Sequence, residues 1–256
     1  MTREPNWKRL LEAWDEQQEA FNPDRERRFS VMFDALAASL PRRFVALDLG
    51  SGPGSLSARL LRRFPSARVI AIDYDPVTRR IGEGALGSVG GRLRWVDAKL
   101  GSPGWTDRLP VRRADAAVST TALHWLSAPD LRRLYRDLHR VLRPGGVFLN
   151  GDHLPWVPED RGLGRLAEGV RRVRFKGARL DHEWSAWRAW WAAAEKIPAL
   201  RPYFAEQKRR SAQHPRTGDI AYPVHIAALR RAGFRDVGVI WQDLTNRVLF
   251  ARRARA

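Results

Sequence analysis

The sequence predicts an α/β fold with a largely parallel sheet, and three observations predict it. From Phe44 onward, short apolar runs alternate with helical periodicities, the pattern of consecutive strand–helix–strand units. The first run ends in the cluster Gly50-Ser51-Gly52-Pro53-Gly54, a turn that only glycine makes easily when a strand feeds directly into a helix. The alternation breaks near Leu154 and resumes at Val224. One core interrupted by an insertion accounts for this, and 256 residues suffice for both.

Residues 7–38 read as two helices. Trp7, Leu11 and Trp14 share a face of the first, while Phe29, Met32, Phe33 and Leu36 follow helical spacing in the second. Phe21-Asn22-Pro23-Asp24 separates them. In the core, Phe44–Leu49 is the first strand, and Leu56, Leu60, Leu61 and Phe64 mark a helix stopped by Pro65. Arg68–Asp73, Leu93–Asp97 and Ala114–Ser119 are the next three strands. A helix follows from Ser127 to Leu142, with Ser127 as N-cap, Pro129 in its first turn and a buried stripe of Leu131, Leu134, Leu138, Val141 and Leu142. Pro144-Gly145-Gly146 ends it, and Val147–Asn150 opens a fifth strand. After the insertion come a helix over Val224–Ala232, stopped by Gly233, and strands around Val237–Trp241 and Arg247–Ala251. The expected organisation is an N-terminal helical lid (1–41), a core (42–153), a helical cap (154–219) and a C-terminal segment completing the core (220–256).

Cysteine is absent, which excludes disulfides, thiolate metal sites and a cysteine nucleophile. The six histidines are dispersed without metal-ligand spacing, so no metal is expected. Neither a signal-peptide core nor a membrane-length apolar run is present, and a cytoplasmic location is the expectation. The formal net charge is +18. Such a balance raises nucleic acid as a partner. Only five of the 46 basic residues are lysine, however, and the arginines are scattered along the chain. A solvated, arginine-rich surface is the favoured reading of that charge.

The chemistry centres on Leu47-Asp48-Leu49-Gly50-Ser51-Gly52-Pro53-Gly54. A glycine-rich turn at a helix N-terminus often holds phosphate. Here the sixth position of G-x-G-x-x-G is Ser55, and an acid stands two residues before the first glycine. Asp48 disfavours a pyrophosphate and suits a ligand carrying a cationic amine.

With these residues the chain resembles the class I S-adenosylmethionine-dependent methyltransferases; its N-terminal helices, Ala122-Leu123-His124-Trp125-Leu126 and the late insertion look most like the bacterial small-molecule or natural-product type. Asp48, Gly50, Gly52 and Gly54 match the family's first motif. Asp73, ending Val69-Ile70-Ala71-Ile72-Asp73, stands where the family binds the ribose hydroxyls, and Tyr74 where it packs a side chain on adenine. Trp95-Val96-Asp97-Ala98 is similar to the adenine-contacting segment, and Arg140–Gly146 to the helix exit before strand five. The resemblance implies a Rossmann-like, seven-stranded, mostly parallel sheet with an antiparallel last strand, supplied by Trp241–Asp243 and Arg247–Phe250. It implies S-adenosylmethionine as cofactor and S-adenosylhomocysteine as product. Cofactor-binding candidates are Arg28, Asp48, Gly50, Gly52, Gly54, Asp73, Tyr74, Asp97, Ala98 and Ser119; Arg25, Arg27 and Arg28 read first as a solvated face, with Arg28 as a donor to the cofactor carboxylate the alternative.

Methyl transfer from a sulfonium is an in-line displacement, so the protein chiefly aligns the acceptor and excludes water. A base matters only if the acceptor must lose a proton. His124 after strand four, and Asp152 and His153 after strand five, are the candidate bases or orienters; hydrogen-bonded packing is the alternative for each. Trp184, Trp187, Trp190 and Trp191 read first as a packed stripe and second as the wall of an apolar acceptor pocket. The expected acceptor is a small molecule, methylated on O, N or C. The alternatives are RNA or DNA, suggested by Arg171-Arg172-Val173-Arg174-Phe175-Lys176, or a fold that binds the cofactor without turnover.

Overall fold

The computed structural model describes residues 4–22, 24–175, 178–211 and 220–255; Lys176, the cap around Pro215 and the side chain of Trp184 lie outside the described residues. Seven strands, β1 (Val45–Leu49), β2 (Arg68–Asp73), β3 (Leu93–Asp97), β4 (Ala114–Thr120), β5 (Leu142–His153), β6 (Phe234–Asp243) and β7 (Asn246–Arg253), form one sheet in the order β3-β2-β1-β4-β5-β7-β6. All pairs are parallel except those of β7, which runs antiparallel to β5 and β6. The strand order reverses between β1 and β4, so a crevice opens beyond their carboxyl ends, where open α/β sheets bind ligands.

Strand alternation divides the interior. Leu47, Leu49, Phe148 and Ala117 face helices α5 (Ala128–Val141) and α9 (Tyr222–Arg231). Ala46, Val118, Val147 and Leu149 face α2 (Arg25–Ser39) and α3 (Ser55–Arg63). Ser127 caps α5 as expected, its hydroxyl accepting the Asp130 N–H. A third apolar cluster joins α1 (Trp7–Phe21) and α4 (Pro76–Leu86) to the cap helices α7 (Ala178–Glu195) and α8 (Arg201–Ser211), through Trp7, Ile81, Trp190 and Phe204. Trp14, Trp190 and Trp191 meet there edge to face, with the Trp14 and Trp190 ring centroids 4.8 Å apart. Trp187 joins Trp191 at 6.0 Å. These tryptophans pack the cap onto the lid helix. The remaining cap helix, α6 (Arg161–Phe175), leaves Leu163, Leu166 and Val173 exposed.

Two elements differ from the sequence reading. Helix α4 has no counterpart in the predicted order, because Gly82 and Gly84 interrupt its pattern. Both are close-approach positions: a Cβ on Gly82 would lie 2.3 Å from the Trp95 ring, and one on Gly84 2.4 Å from Trp7. Strand β5 begins at Leu142 rather than Val147, because Pro144-Gly145-Gly146 forms an irregularity within the strand instead of a loop before it.

Candidate cofactor and acceptor site

The glycine turn is built from left-handed backbone, with φ of +68° at Gly50, +54° at Gly52 and +87° at Gly54, a region costly for residues with a Cβ. The N–H groups of Gly50 and Ser51 donate to Ile72 O, at 2.8 and 3.1 Å, tying the turn to β2. Each glycine has a different neighbour. A Cβ on Gly50 would lie 2.5 Å from the Ala122 Cβ and one on Gly54 2.7 Å from Trp95, whereas one on Gly52 would meet only the Trp14 ring, at 3.7 Å. Gly52 therefore lines the open part of the cradle, beneath the lid helix.

Asp73 at the end of β2 accepts the Gly52 N–H at 2.6 Å and the Asp75 N–H at 2.7 Å. Burial, with Asp75 nearby, pushes its carboxyl up to about 6. Asp97 pairs with Asp73 in register across β2 and β3, so both acids reach the same edge. Tyr74 follows Asp73 and Ala98 lies buried beside Asp97. Asp97 is already engaged: Arg210 of α8 donates to both its oxygens at 2.8 Å, and Arg79 of α4 adds a bond of 3.1 Å. Burial alone would raise the Asp97 carboxyl, but these cations hold it below its ordinary range. The Arg210 guanidinium also lies 4.4 Å from the Tyr74 ring centroid and donates to Tyr74 O. Gln207, one turn earlier, donates to Asp75 at 2.6 Å. A cavity of about 330 Å³ opens beside this contact, lined among others by Tyr74, Asp97, Ala98, Trp105 and Arg210. The larger depression, about 550 Å³, lies at the opposite end of the strands, around Phe234–Gly238.

Asp152 and His153 are the last residues of β5 rather than following it, and at this strand end the structure brings two of the three candidate bases together. His124 Nδ1 lies 2.9 Å from Asp152 Oδ1. Asp152 is fully buried. Burial would raise its carboxyl, but His124, Arg28 and His153 hold it below its ordinary range. A buried carboxylate on Nδ1 favours the tautomer with its proton there, leaving Nε2 basic. His153 takes a different partner, its Nε2 lying 2.7 Å from Asn22 Oδ1. Burial, reinforced by Arg28, lowers it to about 4. Near His124–Asp152, Tyr135 and His225 share a buried bond of 2.7 Å, while Asp152 Oδ2, His225 Nε2 and both polar atoms of Asn150 have no hydrogen-bond partner among the described residues.

Comparisons with known proteins bear on the family and the fold. Residues 46–146 match the model of a methyltransferase domain family. The chain is 32% identical over 170 residues to a trans-aconitate 2-methyltransferase of Azoarcus sp. strain BH72, covering 66% of this chain and 62% of that protein. It is 32% identical over 127 residues to a malonyl-[acyl-carrier protein] O-methyltransferase of Xylella fastidiosa strain M23, covering 48% and 39%. These likenesses support a class I S-adenosylmethionine-dependent methyltransferase. The chain spans about three-fifths or less of the curated relatives it matches. Among solved structures, an O-methyltransferase family protein from Burkholderia thailandensis superimposes with a TM-score of 0.58 at 17% identity, covering 95% of this chain and 60% of that one. Human N-acetylserotonin methyltransferase in complex with S-adenosylmethionine gives 0.52 at 17%, covering 97% and 66%. At these identities the likeness is one of fold.

The methyltransferase cofactor, S-adenosylmethionine, fits the residues present. Gly52 supplies space, and the Asp73 oxygens keep acceptor capacity beyond their two N–H bonds. Three candidates stand differently from the sequence reading. Asp48 is 1% exposed and accepts the Ser57 hydroxyl at 2.6 Å, under the turn rather than toward a ligand amine. Burial raises it to about 7. Ser119 is buried and donates to Leu49 O at 2.7 Å, closing the end of β1. Arg28 is fully buried, and all three of its nitrogens donate to protein oxygens: Thr120, Thr121 and Gly151 O on Nη1, Asn246 on Nε and Nη2, and Asn22 on Nη2. It ties the lid to β4, β5 and β7 instead of presenting a free fork. Arg210, Arg79, Gln207 and Asn246 went unread in the sequence. Thr121, strained at φ +52° beside the site, carried no signal either.

Proposed function

We propose that this protein transfers a methyl group from S-adenosylmethionine to a carboxylate oxygen of a small molecule. One observation carries the donor half: two acids, Asp73 and Asp97, end adjacent strands in register beside a left-handed glycine turn whose N–H is held by the first of them. In this reading Asp73 receives the ribose hydroxyls, Tyr74 and Asp97 the adenine, and Gly52 the close approach of the amino-acid end. The bound cofactor supplies an electrophilic methyl carbon with a neutral thioether as leaving group.

The acceptor half is supported by two relatives whose names specify acids, trans-aconitate and malonyl-[acyl-carrier protein]. A carboxylate has no proton to lose, so the chain's own residues need only orient it and keep water out. Asp152 holds His124 in one tautomer, and the pair orients the acceptor. Cap helices α7 and α8, pinned through the tryptophan cluster to α1, close the site from solvent. The test is calorimetric titration with S-adenosylhomocysteine, followed by turnover against a panel of small carboxylic acids. Saturable binding in the wild type, lost in Asp73→Ala, is expected. No binding at millimolar ligand overturns the proposal.

The second reading, a nucleic-acid acceptor, draws on the exposed Arg171, Arg172 and Arg174 of α6 and the net charge of +18. RNA or DNA binding that falls steeply between 50 and 200 mM salt, together with methylation of that nucleic acid, would favour it over the acid acceptor.

A further inference from the structure

Arg247 is the second residue of β7, opposite Asp152 in the β5–β7 register and on the same strand-end edge as the candidate site. Its side chain is almost completely buried. The guanidinium lies 4.3 Å from the ring centroid of Tyr222 and 4.5 Å from that of Trp156. Its Nε donates to Gln242 Oε1 at 3.1 Å, and Nη1 donates to Leu154 O. These contacts fix the plane of the fork without using Nη2. No carboxylate lies within 4 Å of it among the described residues; of the other buried arginines, Arg25 pairs with Asp15 at 2.8 Å, and Arg28, also without a carboxylate, has all three nitrogens bonded to protein oxygens. A buried cation without a counter-charge is costly and rarely kept for packing alone. Trp156 and Tyr222, the rings that cover the guanidinium, are themselves half-buried and border solvent.

We propose that Arg247 anchors a carboxylate of the acceptor, and that its fixed fork selects small molecules with at least two carboxylates. This rests on the methyl-transfer reading above. One carboxylate is held in-plane by Arg247 as a charge-assisted pair. The second presents an oxygen to the methyl carbon. That oxygen forms the new C–O bond with its own electron pair as the C–S bond breaks, and the electrons of the broken bond stay on sulfur. The products are a methyl ester and a thioether, with no proton released. Trp156 and Tyr222 hold the guanidinium plane, so a lysine at 247 keeps the charge but loses the fork.

The test uses the full chain saturated with S-adenosylhomocysteine and titrated with citrate, malonate and neutral trimethyl citrate at fixed ionic strength. The wild type is expected to bind citrate more tightly than trimethyl citrate by at least tenfold. Arg247→Gln should lose at least tenfold in citrate affinity and Arg247→Lys about threefold to tenfold, with homocysteine-nucleoside affinity unchanged within twofold in both. Equal citrate affinity in wild type and in folded Arg247→Gln would overturn the proposal. Should Arg247→Gln fail to fold, Arg247→Lys and Tyr222→Leu decide, and unchanged citrate affinity in both overturns it. A wild type that binds the nucleoside but no citrate also overturns it, leaving the cofactor reading standing; failure to bind the nucleoside sinks that reading instead.

Discussion

Removing Arg210 should tighten cofactor binding. In the structure its guanidinium, a planar cation, lies against Tyr74 and donates twice to Asp97, the groups proposed to receive the planar adenine and its exocyclic amine. The two cannot hold those groups together, so a ligand must first displace the arginine. Hydrogen bonds to a charged group contribute about 1.5–3 kcal/mol each when well buried, whereas exposed ion pairs contribute about 0.2–1 kcal/mol. The Arg210 and Asp97 side chains are 18% and 30% exposed, so the pair lies between these limits, at about 1.5 kcal/mol net. At about 1.4 kcal/mol per factor of ten, Arg210→Ala should lower the Kd for S-adenosylhomocysteine roughly tenfold. Gln207 still holds α8 to Asp75 in that variant. Added salt weakens the pair, so wild-type affinity should rise with ionic strength while that of Arg210→Ala stays flat. Arg209→Ala, removing an exposed neighbour that among the described residues pairs with Glu206, is the control. Calorimetry at two salt concentrations reads all three proteins. Weaker binding in Arg210→Ala would show that the arginine contacts the ligand, and the displacement argument would fail.

Cofactor affinity should also depend on pH through Asp73. Its carboxyl is raised to about 6, and hydroxyl donors need the ionised form, so affinity should fall as pH drops through about 6; an inflection that persists in Asp73→Asn would exclude this group as its origin. For stability the same shift has the opposite sign: the folded state binds the proton more tightly than the unfolded one, so Asp73 lowers stability as pH rises from about 4 to about 6, which urea melts of wild type and Asp73→Asn compare. Gly50→Ala meets a left-handed φ and the Ala122 Cβ at 2.5 Å, so about 2–5 kcal/mol and a Tm drop of about 5–15 °C are expected; a Tm within 2 °C of wild type by scanning calorimetry would contradict that geometry. His124→Ala should slow methylation of a carboxylate by less than about tenfold, against about 10²-fold or more for an acceptor that must be deprotonated, and steady-state kcat distinguishes the two.

The parts of the site readable from sequence are those whose chemistry is local. The left-handed turn needs glycine at positions 50, 52 and 54 whatever surrounds it, and acids ending consecutive strands reveal a common edge once the strands are recognised. Asp48 shows the limit: the motif marks the acid, but whether it meets a ligand or Ser57 depends on how α3 sits beneath the turn. Helix α4 escaped because its two glycines, which weaken helical patterning, serve contacts with Trp95 and Trp7 that no local window contains. Arg210 and Asp97 stand 113 positions apart. Nothing local distinguishes Arg28, Arg210 or Arg247 from the dozens of other arginines, because the distinction is burial, and burial is set by the assembled sheet and cap.

That distinction also changes what the charge means. A net +18 summed over the chain describes a surface, yet the arginines with the most specific environments are not on it. Arg28 is sealed among oxygens at the ends of β4 and β5, Arg210 closes on the ends of β2 and β3, and Arg247 is set between rings at the start of β7. Together they follow the carboxyl edge of the sheet from one side to the other. Two are delivered by segments outside the central strands, α2 and α8, and both segments contact α1: Arg25 of α2 pairs with Asp15, while Trp14 lies over Gly52 and packs on Trp190 in the cluster that Phe204 of α8 joins. A ligand entering between Gly52 and Asp97 therefore works against one packed body rather than against separate loops. Arg210 itself lies outside that cluster, held by Asp97, Glu206 and Tyr74, so its side chain yields while the roof over the glycine turn stays in place.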